Sequence, residues 1–121
     1  MSEFRFESLD VWKRSIDIDD KLFELAERAE ARRFYRYAEQ LRAASMSISN
    51  NIAEGSGAFS NKDFANYLVI SRKSVFECAN ILFLFLRREI ISLEEKEKLY
   101  IDLEALSKMI TNFRKFLVKN Q

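Results

Sequence analysis

The chain contains no proline, and its only two glycines, Gly55 and Gly57, stand two positions apart near the middle of 121 residues. A β-sandwich or barrel needs a tight turn every 8–12 residues or so, and such turns draw on glycine and proline. This chain cannot supply them, so an all-β fold is excluded as the working reading. Ser56 and Ser60 flank the glycines, which makes residues 55–60 the strongest punctuation in the sequence. The length suits one domain with one core, spanning residues 1–121.

Apolar residues make up 48% and charged residues 32%, a balance foreign to both disordered tails and membrane proteins. Four segments show helical periodicity: roughly 9–29, 35–54, 62–88 and 93–118. The first carries Val11, Ile18, Leu22 and Leu25 on one broad face, with Asp19 in the middle of that apolar arc. The second is slender, with Leu41, Ala44, Ile48 and Ile52 in a narrow stripe and many serines and alanines. The third is apolar nearly all round on a helical wheel. Its main face holds Phe64, Leu68, Val75, Phe76, Leu82 and Phe83, and a second group comprises Tyr67, Ile70, Ile81, Leu84 and Phe85. The fourth shows a clean stripe through Leu99, Leu103, Leu106, Ile110, Phe113 and Leu117. Ser60 to Asp63 and Ser92 to Glu95 fit capping boxes and mark the starts of helices 3 and 4. The helix 1–2 turn falls near Arg32-Arg33, where the periodicity changes phase.

Four helices with short connections predict an all-α, antiparallel up-down-up-down bundle. The second face of helix 3 is surplus to a four-helix core. Exposed apolar area of that kind marks a partner surface, so the chain is expected to form a homo-oligomer through Tyr67, Ile70, Ile81, Leu84 and Phe85.

Several chemistries are missing. With no histidine, imidazole acid–base work, Ser-His-Asp triads and His-based metal motifs are absent. One cysteine, Cys78, can form no intrachain disulfide and lacks a histidine base to activate it. No phosphate-cradling glycine loop or Glu-x-x-His carboxylate cage is present. Glu94, Glu95 and Glu97 suit the positive end of the helix 4 dipole. No enzyme activity, cofactor or metal is expected. Lys+Arg number 20 and Asp+Glu 19, so the chain is not a strongly basic nucleic-acid module. Residues 1–7 show no apolar leader, and the longest apolar run, residues 81–86, falls far short of the roughly 20 residues a membrane span requires. A cytoplasmic protein with a reduced cysteine is expected.

The residues around the glycines are more specific. Gln40-Leu41-Arg42 precedes Ser47-Ile48 and then Asn51-Ile52-Ala53-Glu54-Gly55-Ser56-Gly57. Tyr67-Leu68, Ser74 and Glu77 follow, and Leu9-Asp10-Val11-Trp12 lies upstream. This pattern resembles the four-helix-bundle family of the 23S ribosomal-RNA intervening-sequence proteins, from about Phe6 to Phe116. The resemblance implies a left-handed bundle assembled as a homopentamer, some members being encoded within insertions in the large ribosomal-RNA gene. It implies no settled biochemical activity. Arg42, Asn51, Glu54, Gly55 and Glu77 are the signature positions. Arginines common in the family are replaced here by Ala43, Ala58 and Phe59.

Three groups are candidates for function. Gln40, Ser47, Asn51 and Glu54 share one edge of helix 2. They either form a polar site or hold the helix 2–3 turn, with Asn51 bonding backbone and Glu54 pairing with Arg42 or Arg72. The structural role is the preferred reading. Asp19 must be paired, hydrogen-bonded or protonated, and Arg42 or the helix 2 serines are its expected partners. Arg32, Arg33 and Arg36 would meet Arg87 and Arg88 at one end of the bundle, opposed by Glu30 and Glu89. The function expected is that of a non-catalytic assembly or adaptor protein whose first partner is itself. The alternative is contact with RNA, or with a nucleic-acid-processing protein, through the arginine-rich end.

Overall fold

In the computed structural model, which describes residues 3–121, a single 3-10 turn at Arg5–Ser8 precedes four helices: α1 (Asp10–Ala31), α2 (Tyr35–Ser56), α3 (Asn61–Arg87) and α4 (Leu93–Lys119). Residues 1 and 2, read above as part of the N-terminal stretch, lie outside the described residues. The expected helix bounds hold to within two residues. No strand occurs among the described residues.

The helix ends explain which boundaries were easy to read. At α4 the capping box is complete. Ser92 Oγ accepts from the Glu95 amide at 3.1 Å, and Glu95 Oε1 accepts from the Ser92 amide at 2.9 Å. At α3 only the serine half forms, with Ser60 Oγ accepting from the Asp63 amide at 3.1 Å. Asp63 is one methylene shorter than a glutamate, and its reciprocal bond is absent. Helices α1 and α2 have Leu9 and Phe34 at their N-cap positions, with no side-chain cap.

The α1–α2 and α3–α4 turns share one construction. The Phe34 amide donates to the Ala29 carbonyl and the Arg33 amide to the Glu30 carbonyl, both at 2.9 Å. Likewise the Ile90 amide reaches the Phe85 carbonyl at 2.9 Å, and the Glu89 amide reaches Leu86 at 3.0 Å. These are the paired bonds of the Schellman reversal, with an apolar residue just beyond each turn. The position that usually holds glycine is Arg33 (φ 67°) in one turn and Glu89 (φ 56°) in the other.

Those two turns lie side by side. Arg32 Nη1 donates to the Glu89 carbonyl at 2.7 Å, and Arg88 Nε donates to Tyr37 Oη at 3.0 Å. At the opposite end, Asn61 Nδ2 donates to the Asn120 carbonyl at 2.8 Å, and Arg5 lies 5.0 Å over the Phe64 ring. Each helix packs on its neighbours in sequence, while α1 and α4 close the bundle with the thinnest contact. That seam carries two surface ion pairs, Lys21–Asp102 at 3.0 Å and Arg28–Glu95 at 2.9 Å.

Every helix buries side chains at alternating steps of three and four residues. On α1 these are Val11, Ser15, Ile18, Leu22, Leu25 and Ala29, and on α2 Ala38, Leu41, Ser45, Ile48, Ile52 and Gly55. On α3 the series runs Phe64, Leu68, Ser71, Val75, Cys78, Leu82 and Phe85. A period of 3.5 is what helices lying side by side in a bundle require. It also corrects the reading of α3. Ile81 is 5% and Phe85 0% exposed, so both belong to the core of the single chain and cannot anchor a second one. Phe76 and Phe83, expected inward, are 55% and 44% exposed. A wheel drawn at 100° per residue drifts about 20° per heptad from the 3.5 repeat, about 60° over the three heptads from Phe64 to Phe85. That drift blurs two exposed edges and one core stripe into a helix that looks apolar all round.

Gly55 fixes the closest approach of α2 and α3. A Cβ there would meet Phe64 Cδ1 and Tyr67 Cβ, each at 2.7 Å. Tyr67 Cβ cannot move without the α3 backbone. Gly55→Ala gains about 1 kcal/mol of helix propensity against an overpacking cost of about 1–3 kcal/mol. The variant is expected to melt below the parent, and an unchanged or raised Tm would contradict the close packing. By contrast, Arg33→Gly and Glu89→Gly each relieve a left-handed backbone and should stabilise by about 1 kcal/mol in denaturant titration. A loss of stability at either position would contradict the Schellman assignment.

Candidate functional site

Asp19 is the one buried carboxylate of the bundle core among the described residues. It projects from α1 toward α2, where Ser45 Oγ donates to Oδ1 at 2.8 Å and Ser49 Oγ donates to Oδ2 at 2.6 Å. The helix 2 serines are thus its partners. Arg42 is not; its guanidinium pairs with Glu30 on α1 at 3.0 Å. Burial raises the Asp19 pKa to about 6, the two serine bonds pull it down, and neighbouring Asp20 adds a small push upward.

The signature edge of α2 faces outward. Asn51 Nδ2 donates to the Ser47 carbonyl at 2.8 Å and lies 3.0 Å from Ser47 Oγ, which is 2.7 Å from Ser74 Oγ on α3. Asn51 therefore ties down the outer surface between α2 and α3 rather than the α2–α3 turn. Glu54 is exposed and pairs with neither expected arginine: Arg42 is held by Glu30, and Arg72 lies 4.6 Å over the Phe76 ring. Glu54 joins Gly57, Phe59, Asp63 and Tyr67 around a shallow cleft. Gln40 and Glu77 line a second depression on the same flank with Arg36, Ile81 and Leu84. Of the residues expected to form an apolar partner surface, Tyr67, Ile70 and Leu84 are exposed along α3.

Arg32, Arg33, Arg36, Arg87 and Arg88 are all exposed at the end where the two Schellman turns meet. Neither Glu30 nor Glu89 forms an ion pair with them. Glu30 is engaged by Arg42, and Glu89 offers its backbone carbonyl to Arg32. None of the five arginines makes an ion pair with a carboxylate among the described residues.

Sequence reasoning missed Lys96. It is buried, with Nζ 4.0 Å from the Phe83 ring and 4.6 Å from the Tyr100 ring, and it pairs with Glu97 at 3.3 Å. The i, i+4 spacing of Lys96 and Tyr100 was the available signal. Cys78 is fully buried, and burial pushes its thiol pKa up, away from the reactive thiolate. Among the described residues, no cluster of three or more Cys, Asp or Glu side chains is placed to hold a metal ion. No helix is long and apolar enough to cross a membrane.

The Asp19 arrangement generates a pH prediction. Its folded pKa, about 6, lies above the ordinary value of 3.8. The folded state therefore favours the protonated carboxyl. Its contribution is most stabilising below about pH 4 and is lost as pH rises through about 6. Two pKa units correspond to about 2–3 kcal/mol. Relative to the parent, Asp19→Asn should gain about that much stability between pH 4 and pH 7 in chemical denaturation. Parallel stability curves would contradict a buried, proton-binding carboxyl.

Residues 7–112 match the 23S rRNA-intervening sequence protein family. Among solved structures, the chain is similar to a protein of unknown function from the S23 ribosomal protein family of Bacteroides thetaiotaomicron. The two share 26% identity over 87% of this chain and 98% of that one, with a TM-score of 0.82. A search of curated proteins finds no match. With four helices laid out as in that structure and a family match over most of its length, the chain belongs to the 23S rRNA-intervening sequence protein family.

Proposed function

We propose that the chain is a non-catalytic, cytoplasmic assembly or adaptor protein. Its left-handed, antiparallel up-down-up-down bundles would associate into a homo-oligomer, with five copies the number that the family resemblance implies. The observation that carries this reading is the row of large apolar side chains along the outer edges of α3. Tyr67, Ile70 and Leu84 stand on the α2 side, and Phe76 and Phe83 on the α4 side. Apolar side chains grouped along one element and rimmed by polar residues support an interaction surface. A homo-oligomer is the commonest way to cover one.

A second reading rests on the five exposed arginines without carboxylate partners. They supply positive charge at one end of the bundle, suited to a phosphate backbone. An assembly would repeat that end around its axis and multiply the contact. In this reading RNA binding weakens steeply with salt and is lost in the combined Arg32, Arg33, Arg87 and Arg88→Ala variant. Unchanged affinity in that variant would remove it.

Light scattering on a sizing column tests the principal reading. The expected mass is near five times 14.3 kDa. A mass of 14.3 kDa at micromolar concentration would overturn it.

A further inference from the structure

Residues 64–76 of α3 and residues 105–121 at the end of the chain contain no aspartate or glutamate, yet together they hold six lysines and arginines. The fold lays the two stretches side by side around a cleft of about 220 Å³ between α3 and α4. Arg72, Lys73 and Arg114 are exposed at its rim, while buried Leu68 and Ile110 and half-buried Val69 form its floor. No acidic residue lines it. The two acids that bracket the α3 stretch, Asp63 and Glu77, line clefts on the opposite, α2 side. Glu104, the last acid of α4, belongs to the adjoining groove and lies 4.0 Å from Lys108.

Nearer the start of α4 the cations are neutralised, Lys96 by Glu97 and Lys98 by Glu94. Arg72, Lys73 and Arg114 form no ion pair among the described residues. Three like charges around one cleft repel one another, and an anion seated between them removes that repulsion. The apolar floor strengthens the effect, because it lowers the local dielectric below that of open solvent. Arg72 is also confined, 4.6 Å over the Phe76 ring, so it loses less freedom on binding a ligand.

The chemistry of the rim selects among anions. Two guanidinium forks and one ammonium suit an anion with several acceptor oxygens. A phosphomonoester has three terminal oxygens and a charge of about −1.5 to −2 near pH 7. A carboxylate has two oxygens and a single charge, and would leave part of the rim without a partner. We infer that the α3/α4 cleft is a binding site for a phosphomonoester, held by Arg72, Lys73 and Arg114, with the organic group of the ester over the apolar floor. The site is separate from the arginine-rich end, and it requires neither RNA binding there nor self-assembly. A small phosphorylated molecule and the 5′-terminal phosphate of an RNA strand both carry the group.

NMR titration of the isotope-labelled parent at constant ionic strength tests it. Adenosine 5′-monophosphate should give saturable amide shifts centred on residues 68–73 and 110–114, and adenosine should give none. Arg72→Gln with Arg114→Gln should weaken the binding about tenfold or more. Lys13→Gln with Arg14→Gln removes the same charge from the surface of α1 and should change it by less than about twofold. All four positions are exposed, and far-UV circular dichroism checks that each variant folds.

Shifts that fail to saturate, or that spread over exposed cations of the whole surface, would overturn the inference. So would an equal loss in the two variants, which would reduce the effect to net charge, and so would acetate binding as tightly as the nucleotide. Should the cleft variant unfold, the shift map of the parent decides alone. Oligouridylate with and without a 5′-phosphate then assigns the source. Tighter cleft binding by the 5′-phosphorylated strand than by the mononucleotide upholds the site and makes an RNA end its ligand. Tighter binding by the mononucleotide upholds it for a free phosphomonoester. Equal cleft binding by the two strands would show that the backbone diester suffices, and would overturn the assignment.

Discussion

Burial at alternating three- and four-residue steps is the constraint on which the rest of this molecule depends. It fixes which residue of each heptad meets a neighbouring helix, and it runs from end to end of four helices of 22 to 27 residues. Side chains such as Phe64, Leu68, Leu82 and Phe85 are removed from water completely. Each contributes about 1.5–3 kcal/mol relative to exposure. The same register decides what remains outside: the edges of α3, the polar row on α2 and the charges that rim them. Because α3 has a packed neighbour on both sides, both of its edges border a groove, and the chain ends up with two unlike flanks.

The register tolerates polar residues where they can be satisfied locally. Ser15, Ser45 and Ser71 occupy core positions on three helices. Their hydroxyls donate to the Trp12 carbonyl, Asp19 and the Ile48 carbonyl, respectively. Small side chains at these places let the helices approach, and Gly55 brings α2 and α3 closest. Asp19 is the costly member. Its burial penalty is comparable to the gain from one or two buried aliphatic side chains, which the surrounding core readily offsets. No buried side-chain polar atom among the described residues is left without a hydrogen-bond partner.

Much of this was legible before the structure. The lack of proline and the single glycine pair pointed to long helices, the serines at 60 and 92 located two helix starts, and an acid in an apolar arc required a partner for Asp19, of which the helix 2 serines and not Arg42 form the bonds. The illegible parts have physical reasons. Arg33 and Glu89 occupy left-handed positions where glycine is the usual signal, so the two Schellman turns left no mark in the composition. Ile81 and Phe85 were assigned outward because a straight-helix wheel loses phase over three heptads. That Glu54 pairs with neither expected arginine could not be read, because ion pairing on a surface depends on which cation a neighbouring helix has already engaged, and Arg42 is engaged by Glu30.

In the proposed assembly the flanks of α3 are covered by other copies of the chain, while equally exposed aromatics elsewhere are not. Phe76 on the α4 flank is 55% exposed in the single chain, and Phe116, on the last turns of α4, is 59% exposed. Hydroxyl-radical footprinting of the unmodified protein compares them in one experiment. Phe76 should be protected several-fold relative to Phe116 at assembling concentrations and lose that protection on dilution. Equal oxidation of the two at every concentration would contradict it.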